Sequence, residues 1–253
     1  MPYASSPNTE TSGSITDEPS ALKLISQHET GSWCTSVCFD TLSGDLLLGC
    51  GDGMKLLKKG SCEVREETYH NRAKVAVHKV DVFIAVHKDR KLINVMSYNR
   101  ENREDEMLFS FPMVSTFAAF ISACDEYVAC IDNHNMKPWT LKLYNRREKT
   151  VQTLKLPRLT ALIFNIHFLR DGYLLATGAD DAGKRYLNKY RISSTKATDD
   201  DAAASLVWSC QLEKACGIAV SADERLICVS EMDTKRIYVL NSDGWYNTCN
   251  LIP

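Results

Sequence analysis

One pattern recurs five times along this chain, and self-similarity at a near-constant period confines it to a repeat architecture. The pattern is an alternating strand, a short turn, a second strand with a small residue inside it, a polar turn and a third strand. Its copies are SVCFDTLSGDLLLGCGDGMKLLKK (36–59), KVAVHKVDVFIAVHKDRKLINVM (74–96) and TFAAFISACDEYVACIDNHNMKPWTLKLY (116–144), then FNIHFLRDGYLLATGADDAGKRYLNKY (164–190) and CGIAVSADERLICVSEMDTKRIYVLN (216–241). Anchored at Phe39, Val77, Phe120, Phe168 and Val220, they are spaced 38, 43, 48 and 52 residues apart. Two positions earlier stand Val37, Val75, Ala118, Ile166 and Ile218, which makes one apolar face of a strand with period two. The second strand carries an aligned small residue, Gly49, Ala85, Ala129, Ala176 and Cys228, where neighbouring sheets are expected to approach closely.

Copies of this length, with room for a fourth strand in each period, predict an all-β chain: a β-propeller of four-stranded antiparallel blades, five of them recognisable. Residues 1–20 contain three acids, no bases and many Ser, Thr and Pro, and read as a disordered leader before a propeller spanning 21–253. Leu22–Ile25 reads as an extra strand that completes the last sheet and closes the ring; the alternative is a piece of a six-bladed ring. With 44% hydrophobic and 25% charged residues the composition is that of an ordinary globular chain. Thirty bases against thirty-two acids exclude a globally polycationic nucleic-acid binder. No apolar run approaches the roughly 20 residues of a membrane span, and the polar start is not a signal peptide, so the expected setting is cytoplasmic and reducing.

The fifth copy carries a family likeness. Cys216-Gly-Ile-Ala-Val-Ser-Ala-Asp-Glu-Arg-Leu-Ile-Cys-Val-Ser, followed by Asp233-Thr-Lys-Arg-Ile-Tyr-Val-Leu-Asn-Ser-Asp-Gly244, resembles an NHL repeat, with its "GIAV" strand and its "R-I-x-V" strand in that order. The fourth copy, around Phe168-Leu-Arg-Asp-Gly-Tyr-Leu-Leu-Ala-Thr, is similar. NHL propellers commonly form the C-terminal part of tripartite-motif ubiquitin ligases and bind proteins or RNA, and their rings usually have six blades. The resemblance therefore implies an interaction platform, with the substrate-recognition part of a ubiquitin ligase as an alternative; no RING-type cysteine–histidine spacing is present. WD-repeat propellers are the near relative in architecture, but no copy has a Gly-His start or a Trp-Asp end.

The residues themselves offer little chemistry. Ten cysteines include no C-x2-C pair. Cys34, Cys38, Cys50 and Cys62 have the ligand types for zinc, but strand alternation turns Cys38 away from its neighbours, so the cysteines read as small hydrophobes and no metal or cofactor is expected. The six histidines are scattered, and no hydrolase, zinc-protease or P-loop motif is present. A propeller hydrolase with a central-channel site, the enzymatic alternative, needs polar groups from several inner strands. Here those strands are apolar, interrupted by Asn165 and His167. The turn between second and third strands is more informative, because every copy places a base there. Arg90, Lys91, Lys137, Lys184, Arg185, Lys235 and Arg236 are the expected partner-binding set, gathered on one rim of the disc. Each such turn also contains an aspartate, so acid–base turn chemistry is the competing explanation. The expected function is a non-enzymatic scaffold binding a protein, with RNA the alternative partner, and no small-molecule substrate.

Overall fold

The computed structural model describes residues 32, 34–40, 42–59, 64–66, 73–79, 81–88, 92–99, 104–112, 119–132, 140–193, 201–231, 236–244 and 246–250. They form twenty strands in five consecutive groups of four. The first blade is β1 (Cys34–Phe39), β2 (Leu46–Cys50), β3 (Gly53–Leu57) and β4 (Val64–Glu66). The second is β5 (Ala73–His78), β6 (Asp81–Lys88), β7 (Leu92–Asn99) and β8 (Glu104–Pro112). The third is β9 (Ala119–Ala123), β10 (Tyr127–Asp132), β11 (Thr140–Asn145) and β12 (Thr150–Lys155). The fourth is β13 (Leu162–Phe168), β14 (Tyr173–Ala179), β15 (Arg185–Ser193) and β16 (Asp201–Gln211), and the fifth is β17 (Ala215–Val220), β18 (Leu226–Glu231), β19 (Arg236–Asn241) and β20 (Tyr246–Asn250). Consecutive strands pair antiparallel within each blade, giving the all-β, five-bladed β-propeller expected from the repeats.

Tight inner hairpins begin each blade. Four of them place one residue in the left-handed region, Gly44, Lys79, Gly172 and Glu224, which lets a short loop reverse the chain with the twist of its strands. Asp40 is buried in the first hairpin and accepts the Leu42 and Ser43 amides at 3.0 and 3.3 Å. In the third blade, cross-strand register sets Ala123 opposite Val128, as Phe39 opposes Leu46 and Phe168 opposes Leu174. The third copy is thus shifted by three residues from the anchor at Phe120, because two alternating apolar runs, FAAF and FISA, stand next to each other there.

Consecutive blades bury their facing sides against each other. Four apolar cores result, between blades one and two (Leu47 and Met54 with Val75 and Ile84), two and three (Phe83 and Val95 with Val128 and Tyr144), three and four (Ile131 and Leu143 with Phe168 and Tyr190), and four and five (Leu175 and Leu187 with Ile227 and Tyr238). Ring pairs cross two of these junctions, Phe109–Tyr144 at 5.7 Å and Tyr127–Phe168 at 6.3 Å between centroids. Side-chain hydroxyls supply the polar stitching: Ser36 accepts the Val75 amide at 3.1 Å, Ser122 accepts the Phe168 amide at 2.8 Å, and Thr177 donates to the Cys216 carbonyl at 2.5 Å. Among the described residues no such core joins blade five to blade one.

Two features go beyond the repeat pattern. The outer strands of blades three and four pair in parallel, Thr153–Lys155 with Asp201–Ala203, so these two blades share one eight-stranded sheet. Glu104, Asp105 and Glu106 are residues of outer strand β8, and Asp201 begins β16. The fifth sheet has its own fourth strand, β20, so it reaches four strands without Leu22–Ile25, which also lie outside the described residues.

Candidate functional site

The five inner strands, β1, β5, β9, β13 and β17, surround a central channel enclosing a cavity of about 970 Å³. The strand residues that line it include Ser36, Lys74, His78, Phe120, Ser122, Asn165 and His167 among aliphatic neighbours. One end of the cavity is bordered by the first–second turns, through Leu42, Lys79, Asp125, Arg170 and Glu224. This rim is opposite the one that carries the second–third turns, since successive turns of an antiparallel sheet alternate ends.

Ion pairs between blades hold this rim. Asp125 of the third blade takes His78 at 2.8 Å and Lys79 at 2.5 Å from the second. Hydrogen bonds from Lys79 and then His78 hold its carboxyl down at about 2. Arg146 bonds Asp81 across the same junction, and Lys149 reaches Glu106 at 3.3 Å. Between blades four and five, Glu224 accepts the Arg170 amide at 2.8 Å, with the guanidinium 3.9 Å away. The two carboxylates of the cavity lining, Asp125 and Glu224, are therefore both engaged in these bridges. They stand in the first–second turns of the third and fifth blades. Among the described residues no group of three or more His, Cys, Asp or Glu side chains is placed to hold a metal ion.

The apolar part of the rim is on the first blade. Val37, Phe39 and Leu42 are 62%, 56% and 65% exposed, and all three line the cavity. Their counterparts Val75 and Ile166 are 5% and 3% exposed, because a preceding blade covers them. Among the described residues no core covers this side of the first blade, and Leu226 of the last blade is exposed as well. A patch of this kind at a cavity mouth is the usual mark of a binding surface. Sequence periodicity placed Val37 and Phe39 on an apolar strand face; no local signal distinguishes the copy whose face is left uncovered by the described residues.

Of the expected basic set, Arg90, Lys91, Lys137 and Lys235 lie outside the described residues. Lys184 is exposed in the turn before β15, and Arg236 is exposed at the start of β19. Arg185 points inward: its guanidinium lies 4.6 Å from the Phe164 ring centroid, and its Nη1 is buried without a hydrogen-bond partner among the described residues. Turn chemistry accounts for the acids. Asp180 accepts the Ala182 and Lys184 amides, each at 2.9 Å, and Asp181 accepts the Thr160 hydroxyl at 2.6 Å. In the first blade, Lys55 is buried and bonds Asp52 at 2.7 Å. None of the described second–third turn residues lines the cavity.

His167 gives the channel a measurable pH response. Burial pushes its imidazole down to about 4, so below the unfolded value of 6.5 the unfolded chain takes up a proton that the folded one resists. Its contribution to stability is present above pH 6.5 and is lost as pH falls towards 4. Between pH 7.5 and 5.5 the chain is expected to lose about 1 kcal/mol through this group. Urea unfolding of the wild type and of His167→Gln at both pH values checks this; an equal loss in the two proteins would show that the imidazole is not the source.

No protein-family model and no curated protein sequence matches this chain. Solved structures do. Streptogramin B lyase aligns with a TM-score of 0.60 at 12% identity, covering 88% of this chain and 70% of its own. A chain from the crystal structure of a nidogen/laminin complex aligns at 0.57 and 9% identity, covering 83% and 76%. The β-propeller domain of Myceliophteria thermophila Cps50 (Swd1) aligns at 0.54 and 14%, covering 85% and 72%. A lyase, a protein of a complex and a further propeller domain share this architecture, so the likeness establishes the fold and leaves activity open.

Proposed function

We propose that this chain is a protein-binding scaffold, and that a partner engages the rim bearing Val37, Phe39 and Leu42. The observation that carries the reading is three large apolar side chains, each more than half exposed, at the mouth of a cavity with charged groups around it. An extended segment of a protein partner matches this chemistry: apolar side chains fill the mouth, while its polar backbone and charges meet Lys79, Arg170 and Glu224. The nidogen/laminin neighbour, a chain in a protein complex, supports the same class of function. A reducing, cytoplasmic setting agrees with the free thiols, and the NHL resemblance adds a ubiquitin-ligase substrate receptor as one form that such a scaffold takes.

The second reading is RNA or an acidic protein on the opposite rim, favoured by the exposure of Lys184 and Arg236. Affinity capture with and without nuclease, from Phe39→Asp/Leu42→Asp and Lys184→Glu/Arg236→Glu double variants, separates the two. The first double variant is expected to lose nuclease-resistant protein partners by 10-fold or more, a loss of about 1.4 kcal/mol or more, and the second to keep them. The reverse pattern, with partners lost on nuclease treatment, would move the function to the basic turns. Both pairs are exposed, so neither is expected to change the unfolding midpoint.

A further inference from the structure

The described cysteines are reduced in this structure, and two of them face each other. Register pairs Cys34 of β1 with Cys50 of β2 at the bulge that begins the first hairpin. No other pair of described cysteines is opposed in this way: Cys38 faces Leu47, Cys130 faces Ile121 and Lys142, Cys210 faces Leu187, and Cys228 faces Ala219 and Val239. Opposed residues of an antiparallel pair have Cα atoms about 4.5–5.5 Å apart, inside the roughly 4.4–6.8 Å that a disulfide spans. Cys34 Sγ donates to the Ser36 carbonyl at 3.2 Å. Cys34 is exposed, whereas Cys50 is fully buried beneath it.

We propose that Cys34 and Cys50 are a thiol-exchange site for a low-molecular-weight disulfide such as oxidised glutathione, ending in an internal Cys34–Cys50 bond. The exposed Cys34, as thiolate, attacks one sulfur of the small disulfide and releases one glutathione thiolate. Cys50 then loses its proton to solvent and attacks the Cys34 sulfur, forming the protein disulfide and releasing the second glutathione thiolate. Two protein thiols are oxidised and one small disulfide is reduced to two thiols, so no further oxidant enters. Burial first, and then the neighbouring Cys34, hold the Cys50 thiol up at about 11, with Lys55 opposing and Asp52 adding to the rise. The second step is therefore slow, and a mixed disulfide on Cys34 accumulates before it closes. The product staples the start of β1 to the end of β2.

The full chain, incubated in oxidised glutathione and followed by intact mass and peptide mapping, tests the inference. A transient single glutathione adduct at Cys34 is expected, giving way to a Cys34–Cys50 cross-linked peptide with the loss of two hydrogens. Cys50→Ser is expected to stop at the stable adduct, and Cys34→Ser to form neither species. A wild-type adduct on Cys34 that never closes, or a cross-link joining other cysteines, overturns the proposal. The wild-type peptide map decides alone if a variant does not fold.

Discussion

Replacing Gly49 with Ala is expected to destabilise the chain by about 4 kcal/mol, the sum of overpacking and a lost buried hydrogen bond. Gly49 lies in β2 where blade one meets blade two. A Cβ there would stand 2.4 Å from the Ala73 carbonyl oxygen and 2.3 Å from Ser36 Oγ. Neither atom gives way easily: one is backbone at the start of β5, and the other accepts the Val75 amide. Relieving the clash separates the two inner strands or orphans that amide, and it does so at the edge of the core formed by Leu47, Met54 and Val75. Gly183→Ala is the control. Its φ of +78° brings backbone strain of about 1 kcal/mol, and nothing lies within 4 Å of the added methyl. Urea unfolding that gives the same loss for both variants would show that close blade packing is not what Gly49 serves.

A small residue inside the second strand was legible in every copy, and at Gly49 the close approach of the next blade is met; the registers set Ala129, Ala176 and Cys228 at other distances from their hairpins, so the five do not form one structural column. The strands were legible because period-two alternation survives where identity does not. The third blade shows the limit: Phe120 and Ala123 head equally good alternating runs, and only the hairpin between Cys124 and Tyr127, closed by a 2.9 Å bond, selects the second. The parallel link between β12 and β16 had no local signal, because it depends on an outer strand reaching a neighbouring blade. The candidate site divides in the same way. Basic turns are visible in sequence as composition, but the inward turn of Arg185 depends on where Phe164 stands. Exposure of Val37 and Phe39 depends on which blades pack against which among the described residues, and residues that are apolar in every copy give no hint of it.

Lys74 was overlooked on similar grounds, although KVAVH carries its signal: a cation occupies an alternating position opposite Ala85. Its ammonium is buried on the channel wall, 4.9 Å from the Phe120 ring centroid, and burial pushes it down to about 8 from 10.5. With the folded value depressed, stability attributable to this group is present above pH 10.5 and lost as pH falls through 8. At pH 7 the amine is charged in both states, so the folded chain bears the whole cost of burying the charge, about 3 kcal/mol. Lys74→Met keeps the length and the apolar stem, and removes the charge. It is expected to stabilise the chain at pH 7 by about 2 kcal/mol, less than the full cost because the cation–π contact is lost as well. The advantage should shrink as pH rises from 8 to 10.5, where the wild type gains stability and the variant does not. Chemical unfolding of both proteins at pH 7 and pH 10 decides it: a variant that is less stable at pH 7 would mean that the ammonium is held by favourable interactions stronger than its desolvation, and that this wall of the channel is built around a cation.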